Sequence, residues 1–501
     1  MDTGGVSTAR ARAPLRVLRP LAAPLLAPLQ GVRLAYVPLL GVYLASGALG
    51  LIAVADQFWV RQSLTLTPAE LASLAVWLQL PWVAKMVVSE LVDCVPILGS
   101  QRRAYILIGG GLVAAGLLTL AGAAGGWIAF AAPETLYAAA QLAIVAGSVV
   151  QEVVADAISP EVVARTEADG SPRPQADINR DLAMVEVLAR LTYSAGAFAV
   201  ALLAGVLAKT FAYSTVFLMA LAVPALSIAG ALLVRADGGR RPRPIDRRIL
   251  GGGLVFAVAA TLIGLSAFRW AQEAVFLLSL AVIGLMLRRV LAVLEPEVRR
   301  RIALVAAMIF AFRAVPMIGD GYRWFAMDRL GFDETFFGVL QLTSTGVGLA
   351  AMWLLADALV RRPATTVLLW LTAMTALLFL PSLMLVNGVH HWTEPALGFG
   401  ARSIALIDEA AQSPLFLLAT VPLLALVAIH APREARATWF ALVASLMSLS
   451  VVASQLATKY VNLLFPIERG VYDQLPALVL TVTASAVIVP LGVILALRRR
   501  I

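Results

Sequence analysis

Apolar runs follow one another along this chain with only short polar breaks between them. They lie near 34–55, 68–92, 103–124, 134–157, 180–208 and 211–234. A basic loop follows, then two runs near 249–268 and 271–290. Six more lie near 302–325, 334–357, 364–387, 402–430, 435–463 and 473–497. Each is about the 20 residues that a helix needs to cross a bilayer. The pattern predicts an all-α polytopic membrane protein with about fourteen transmembrane helices, grouped as six, two and six.

Composition agrees with this reading. Of 501 residues, 60% are hydrophobic and 14% charged, against about 25% charged in soluble domains. A soluble enzyme is therefore excluded, and so is disorder. The balance of 39 Lys+Arg against 30 Asp+Glu reads as topology, with no nucleic acid implied. If the N-terminus is cytoplasmic, 28 of the 39 basic residues fall on inner segments and only 7 on outer loops. Positive-inside bias thus predicts cytoplasmic termini and an even number of spans. Residues 1–33, with Arg10, Arg12, Arg16, Arg19 and Arg33, form a basic arm at the membrane surface, with a targeting peptide as the alternative. Cys94 is the one cysteine, so no internal disulfide can form. Histidines are few, and the His390–His391 pair is expected in a solvated outer loop. No nucleophile, phosphate-binding or metal motif is present, so neither catalysis nor a cofactor is expected.

The two groups of six echo each other. The second helix of each ends in an acid and is followed by basic residues: Asp93 before Arg102 and Arg103, and Asp357 before Arg361 and Arg362. The loops ahead of them, LTLTPAELASL (64–74) and LGFDETFFGVL (330–340), both place acids in a first helical turn. Duplicated six-helix bundles are the major-facilitator architecture. The expected domains are a basic arm at 1–33, a bundle at 34–234, a basic loop with an extra helix pair at 235–301, and a bundle at 302–501. Asp93, Arg102, Arg103, Asp357 and Arg361 are candidate gating residues. Plain positive-inside charge beside a helix-end acid is the alternative reading of this pattern.

Ionisable residues inside spans each cost roughly 2.5–3.5 kcal/mol at mid-helix, so each is expected to face a cavity or a partner. Lys85 is one. Glu152 and Asp156 lie four apart on one helix face and would repel, which suits proton coupling. Asp156 could instead pair with Arg165 or Lys85 at a helix end. Glu186 and Arg190 are also four apart and read equally well as a neutralised structural pair. Arg313 opens the second bundle. Asp408 and Glu409 fall near an outer helix end, and Lys459 shares a face with Gln455. The inserted pair, with Arg269 and Glu273 four apart and few other polar groups, suits peripheral packing and could contact a protein partner.

The stretch LTPAELASLAVWLQLPWVAKMVVSELVDCVPILGSQRRAYILIGG (66–110) resembles the folate-biopterin transporter family of the major facilitator superfamily. The resemblance runs through Thr67, Pro68, Ala69, Glu70, Leu80, Pro81, Trp82, Lys85, Asp93, Pro96, Ile97, Gly99, Arg102, Arg103 and Tyr105. VVADAISPEVVAR (153–165), ARLTYSAGAF (189–198), the 310–342 segment and ATWFALVASLMSLS (437–450) are similar to later motifs of that family. The chain departs after Trp82, where Lys85-Met86-Val87-Val88-Ser89 lacks the family's Pro and Gly. The resemblance implies a secondary transporter of a folate- or pterin-like organic anion. Such a ligand wants aromatic platforms, amides and a cation for its carboxylate. Arg313 and Arg190 are candidates for the anion, with Lys85, Trp82, Gln79, Tyr43 and Gln341 lining the site; Asp156 and Glu152 are candidates for coupling protons in a symport. Trp82 reads equally as an aromatic that packs on lipid or a neighbouring helix. A different small solute, or a transporter-like scaffold for a membrane complex, are the rival functions. Ala- and Arg-rich usage points to a bacterial inner membrane.

Overall fold

A computed structural model gives the fold. It describes residues 33, 36–97, 99–100, 102–167, 169, 171–233, 247–266, 268–292, 295–360, 362, 364–418 and 436–497. The arm at 1–32 and the basic loop at 234–246 lie outside the described residues, as does Arg361. Asp357 falls in a described helix, but its side chain lies outside the description.

The first group comprises α1 (Val37–Ser63), α2 (Pro68–Cys94), α3 (Arg103–Gly125), α4 (Pro133–Ile158), α5 (Gln175–Thr210) and α6 (Tyr213–Leu232). The inserted pair is α7 (Arg247–Leu265) and α8 (Ala271–Leu291). The second group comprises α9 (Pro296–Arg313), α10 (Asp320–Asp328), α11 (Glu334–Val360), α12 (Thr365–Val386), the short α13 (His390–Leu397), α14 (Ala401–Leu418), α15 (Arg436–Leu464) and α16 (Leu475–Leu497). Among the described residues, nine helices are long and apolar enough to cross a membrane. Large apolar side chains such as Leu202, Leu203, Leu254, Leu262 and Ile488 are exposed along them, as expected of helices that face lipid.

Local chemistry explains the ends of these helices. Thr67 and Glu70 form a capping box at the start of α2: Glu70 N–H donates to Thr67 Oγ1 (3.3 Å), and Thr67 N–H donates to Glu70 Oε2 (2.8 Å). Asp333 caps α11 in the corresponding place, accepting from Phe336 N–H at 3.1 Å. The acid-bearing starts expected at 64–74 and 330–340 are thus both present. Gly126, at φ 72°, closes α3 in the left-handed conformation.

Several helices carry breaks, among them three that bear on the site. α1 tightens into a 3₁₀ turn over Leu49–Ile52. α2 is interrupted at Gln79 and again at Ala84, flanking the Leu80–Val83 turn. Pro81 lacks the N–H that an unbroken helix would use there. The run expected to be continuous over 302–325 is in fact two helices, because Pro316 and Gly319 (φ 84°) interrupt it. α15 supplies the partners that the opened backbone needs. Met317 N–H donates to Thr458 Oγ1 (2.9 Å), and Ser454 Oγ donates to Val315 O (2.7 Å). Non-helical backbone at membrane depth persists only where protein satisfies it in this way.

The two groups meet closely. α11 runs beside α5, and α15 beside α2. A Cβ on Gly205 would stand 2.4 Å from Glu334 O, so only glycine allows this approach of α5 and α11. On the side predicted to be outer, Arg61 pairs with Asp328 and Lys209 with Asp333. There Tyr213 Oη also donates to Glu334 Oε1 (3.0 Å), and Arg469 Nε donates to Arg61 O (3.1 Å).

Candidate functional site

The first group brings four of the expected site residues together. The break at Ala84 starts a new helical segment with Lys85 as its first residue. Lys85 Nζ lies 2.8 Å from Glu152 Oε1 and 2.8 Å from Asp156 Oδ2. Helical spacing puts both carboxylates on one face of α4, so a single cation reaches both. Tyr43, buried on α1, donates from Oη to Asp156 Oδ1 at 2.7 Å. The carboxylates therefore do not stand as a repelling pair, since the Lys85 alternative for Asp156 is realised. With all three groups ionised, the cluster carries one net negative charge, and one proton would neutralise it.

The other expected residues are placed as follows. Trp82 is half-buried and packs against the core containing Tyr36, Leu39 and Tyr43. Gln79 sits at the first break of α2. Gln341, on α11, crosses to the first group, with its Nε2 3.4 Å from Gly50 O in the 3₁₀ turn. Arg313 is the last residue of α9; it is buried, and its Nε donates to Ser450 Oγ of α15 at 3.2 Å. Arg190 is exposed on α5. Among the described residues it forms no ion pair with Glu186, which instead accepts from Ser159 Oγ at 2.8 Å.

The acid-and-arginine pattern after α2 forms a tie inside the first group. Arg102 is buried; its Nη2 lies 2.8 Å from Asp93 Oδ1 and 3.0 Å from Glu161 Oε1, and its Nη1 donates to Val92 O (3.1 Å). One guanidinium thus joins the ends of α2 and α4. Arg103 begins α3, and its backbone N–H donates to Ser100 Oγ at 3.0 Å.

Two further acids are held by neutral donors. Asp408 is buried on α14 and accepts from Ser382 Oγ (2.7 Å), Gln412 Nε2 (2.6 Å) and Tyr322 Oη (3.4 Å). Asp56 on α1 accepts from Tyr137 Oη (3.2 Å) and Gln141 Nε2 (2.9 Å) of α4. Asp56 is not among the residues the sequence pattern points to, since it falls one residue beyond the 34–55 run. Its signal was a lone acid in an otherwise apolar stretch, five residues before Arg61.

One further expectation is corrected. His390 is buried in α13 and is not part of a solvated loop; among the described residues no group of His, Cys, Asp or Glu could hold a metal. Arg269 and Glu273, four residues apart, take different partners. Arg269 lies over the Trp270 ring, whereas Glu273 Oε1 takes Lys459 Nζ at 2.9 Å. Gln272 bonds Ser73 of α2 through Nε2 and accepts from Lys459 Nζ (2.9 Å) through Oε1. The inserted helix α8 therefore bridges α2 of the first group and α15 of the second.

Residues 46–501 match the BT1 family. The chain belongs to the BT1 family. Among its relatives is a protein of Synechocystis sp. named folate-biopterin transporter. That protein is 26% identical over 463 residues, which is 90% of this chain and 79% of the relative. The resemblance read from the 66–110 motifs is thereby borne out. Among solved structures, a POT family transporter in complex with 5-aminolevulinic acid superposes with TM-score 0.62 at 14% identity, covering 92% of this chain and 96% of the other. A D-xylose–proton symporter gives TM-score 0.54 at 11% identity, covering 92% and 96%. These likenesses establish the major-facilitator fold. This BT1-family chain is an integral membrane transporter.

Proposed function

We propose that the protein moves a folate- or pterin-like organic anion by alternating access, with protons as the coupling ion. Two bundles, at 34–234 and 302–501, rock about a midplane site, with the inserted pair between them in sequence and both termini cytoplasmic in a bacterial inner membrane. The observation that carries this reading is the Lys85–Glu152–Asp156–Tyr43 cluster. Lys85 is the cation best placed to alternate between a protein carboxylate and a substrate carboxylate. Protonating Asp156 or Glu152 removes part of its hold, so an incoming anion can take the vacated charge. Arg313, buried where α9 breaks, supplies the second cation, and discontinuous helices are where secondary transporters build such sites. Gln79, Trp82, Tyr43 and Gln341 line the path, and Arg190 meets the anion on its way. Asp93, Arg102, Arg103, Asp357 and Arg361 serve the gate.

Use of the inserted pair as a docking surface for a protein partner has less support, since Gln272 and Glu273 spend their polar groups on α2 and α15. Arg313→Ala should abolish binding of a folate to the purified protein while leaving it folded in the membrane; unaltered affinity would place the anion site elsewhere. Collapsing the pH gradient should stop accumulation of the solute. Unchanged accumulation would remove the proton.

A further inference from the structure

A cavity of about 240 Å³ lies between the two groups, walled by α1, α2 and α4 on one side and α10 on the other. Asp56, Gln57 and Tyr137 line it from the first group, and Asp320, Arg323 and Trp324 from the second. Its size falls below the roughly 300–1,000 Å³ of pockets for drug-sized ligands, which leaves room for one flat bicyclic ring. Arg61 and Arg469 hold their guanidinium groups over the Trp324 ring, 5.5 and 4.5 Å from its centroid. Trp324 is thereby fixed as one wall.

On the first-group wall, Asp56 and Gln57 present acceptors with spare capacity. Asp56 receives one neutral donor on each oxygen, Gln141 on Oδ1 and Tyr137 on Oδ2. A carboxylate has about four lone-pair sites, so two remain. Among the described residues no Lys, Arg or His pairs with it, and Arg323 is bonded to Asp320 at 2.8 Å. Gln57 Oε1 beside it is buried and, among the described residues, has no hydrogen-bond partner. A half-buried carboxylate and a buried amide oxygen left short of donors ask for a ligand edge rich in N–H groups.

We infer that this cavity is the subsite for the aminopyrimidinone edge of the solute, with Asp56 as its specificity-determining residue. This deepens the proposed function and rests on it. A 2-amino-4-oxopteridine carries adjacent N–H groups on its 2-amino nitrogen and N3. They match the two oxygens of one carboxylate as the fork of a guanidinium does. Gln57 Oε1 takes the second hydrogen of the amino group, and Tyr137 and Trp324 supply aromatic walls for the ring. The Lys85 cluster and Arg313 then deal with the anionic part of the solute, while Asp56 reads its ring.

The test is equilibrium binding of two probes to the purified full-length protein. One is pterin; the other is lumazine, in which a carbonyl replaces the 2-amino group. Wild type should prefer pterin by at least about tenfold, since a site built to receive a donor rejects an analogue that lacks it. Asp56→Asn presents one acceptor and one donor, which fits the lumazine edge, and should remove or invert the preference. Gln57→Leu leaves the carboxylate in place and should narrow the preference; it keeps the test alive if Asp56→Asn does not fold. A ratio unchanged in both variants would overturn the subsite, as would a wild type that binds pterin and lumazine equally; neither result touches the transporter reading. Binding of neither probe by wild type would overturn the subsite together with the proposed solute class. Asp56→Asn with both affinities intact but no response to a pH gradient would make Asp56 a proton site instead, and the inference would fall.

Discussion

In the first group Lys85 stands between Glu152 and Asp156, while in the second Asp408 is held by Ser382, Gln412 and Tyr322 with no cation among the described residues. Both arrangements remove an acid from lipid, but they respond differently to change. In the first, charge is balanced against charge, so a proton or an anion that enters must alter the Lys85 contacts. In the second, hydroxyl and amide donors share one carboxylate and can stay in place when its charge changes. Asp56 repeats the second pattern with the parts exchanged. Its acid lies on α1 with Tyr137 and Gln141 on α4, whereas Asp408 and Gln412 lie on α14 and Tyr322 on α10. The first group therefore holds both kinds of site. Lys85 makes that group the candidate for coupling.

The largest effect should come from removing the cation. Lys85→Met leaves two carboxylates four residues apart on α4 and should destabilise the purified protein by about 2–3 kcal/mol, below the cost of breaking a fully buried pair because Asp156 is 47% exposed. Adding Glu152→Gln should recover part of the loss in melting temperature. A Lys85→Met protein as stable as wild type would show that the cluster is not a charge balance. The neutral site should be less sensitive. Asp408→Leu strands the donors of Ser382, Gln412 and Tyr322 and should cost about 1–3 kcal/mol, with Asp408→Asn well below that. Equal losses for Asp408→Asn and Lys85→Met would erase the contrast between the two sites.

The tie at the ends of α2 and α4 comes next. Arg102→Lys keeps the charge but loses the planar fork that reaches Asp93, Glu161 and Val92 O together, and should cost about 1 kcal/mol. Limited proteolysis around residues 95–102 would report it as faster cleavage, and an unchanged rate would count against the tie.

The smallest effect is expected at Asp333. The hydrogen bond from Lys209, and after it that from Phe336 N–H, holds its carboxyl below the usual carboxylate range. A depressed acid contributes stability above its unfolded value, and that contribution is lost as pH falls through the folded one. Asp333→Asn should therefore cost about 0.5 kcal/mol near neutral pH, and the melting curves of the two proteins should converge in acid. A gap that widens in acid would contradict the assignment.

Much of the fold was legible because apolar runs and the two acid-bearing helix starts are local signals. Thr67, Glu70 and Asp333 cap helices where the sequence places them. Lys85, Glu152, Asp156 and Tyr43 were legible as costly or polar residues inside spans, although only the bend of α2 shows that they meet. The break at 314–319 was masked by continuous hydrophobicity, even with Pro316 and Gly319 in view, because its partners Ser454 and Thr458 lie about 140 residues away. The bridge from Glu273 to Lys459 was hidden for the same reason, and Arg269 at helical spacing offered a nearer partner that the fold does not use. The setting of Asp56 is not local either, since its donors, Tyr137 and Gln141, come from another helix.

The most direct test of the account is uptake of a labelled pteridine by vesicles containing the purified protein, with an inward proton gradient and with Lys85→Met vesicles alongside. The account predicts saturable, gradient-driven accumulation by wild type and its loss in the variant. Uptake by wild-type vesicles no faster than by protein-free ones would contradict it.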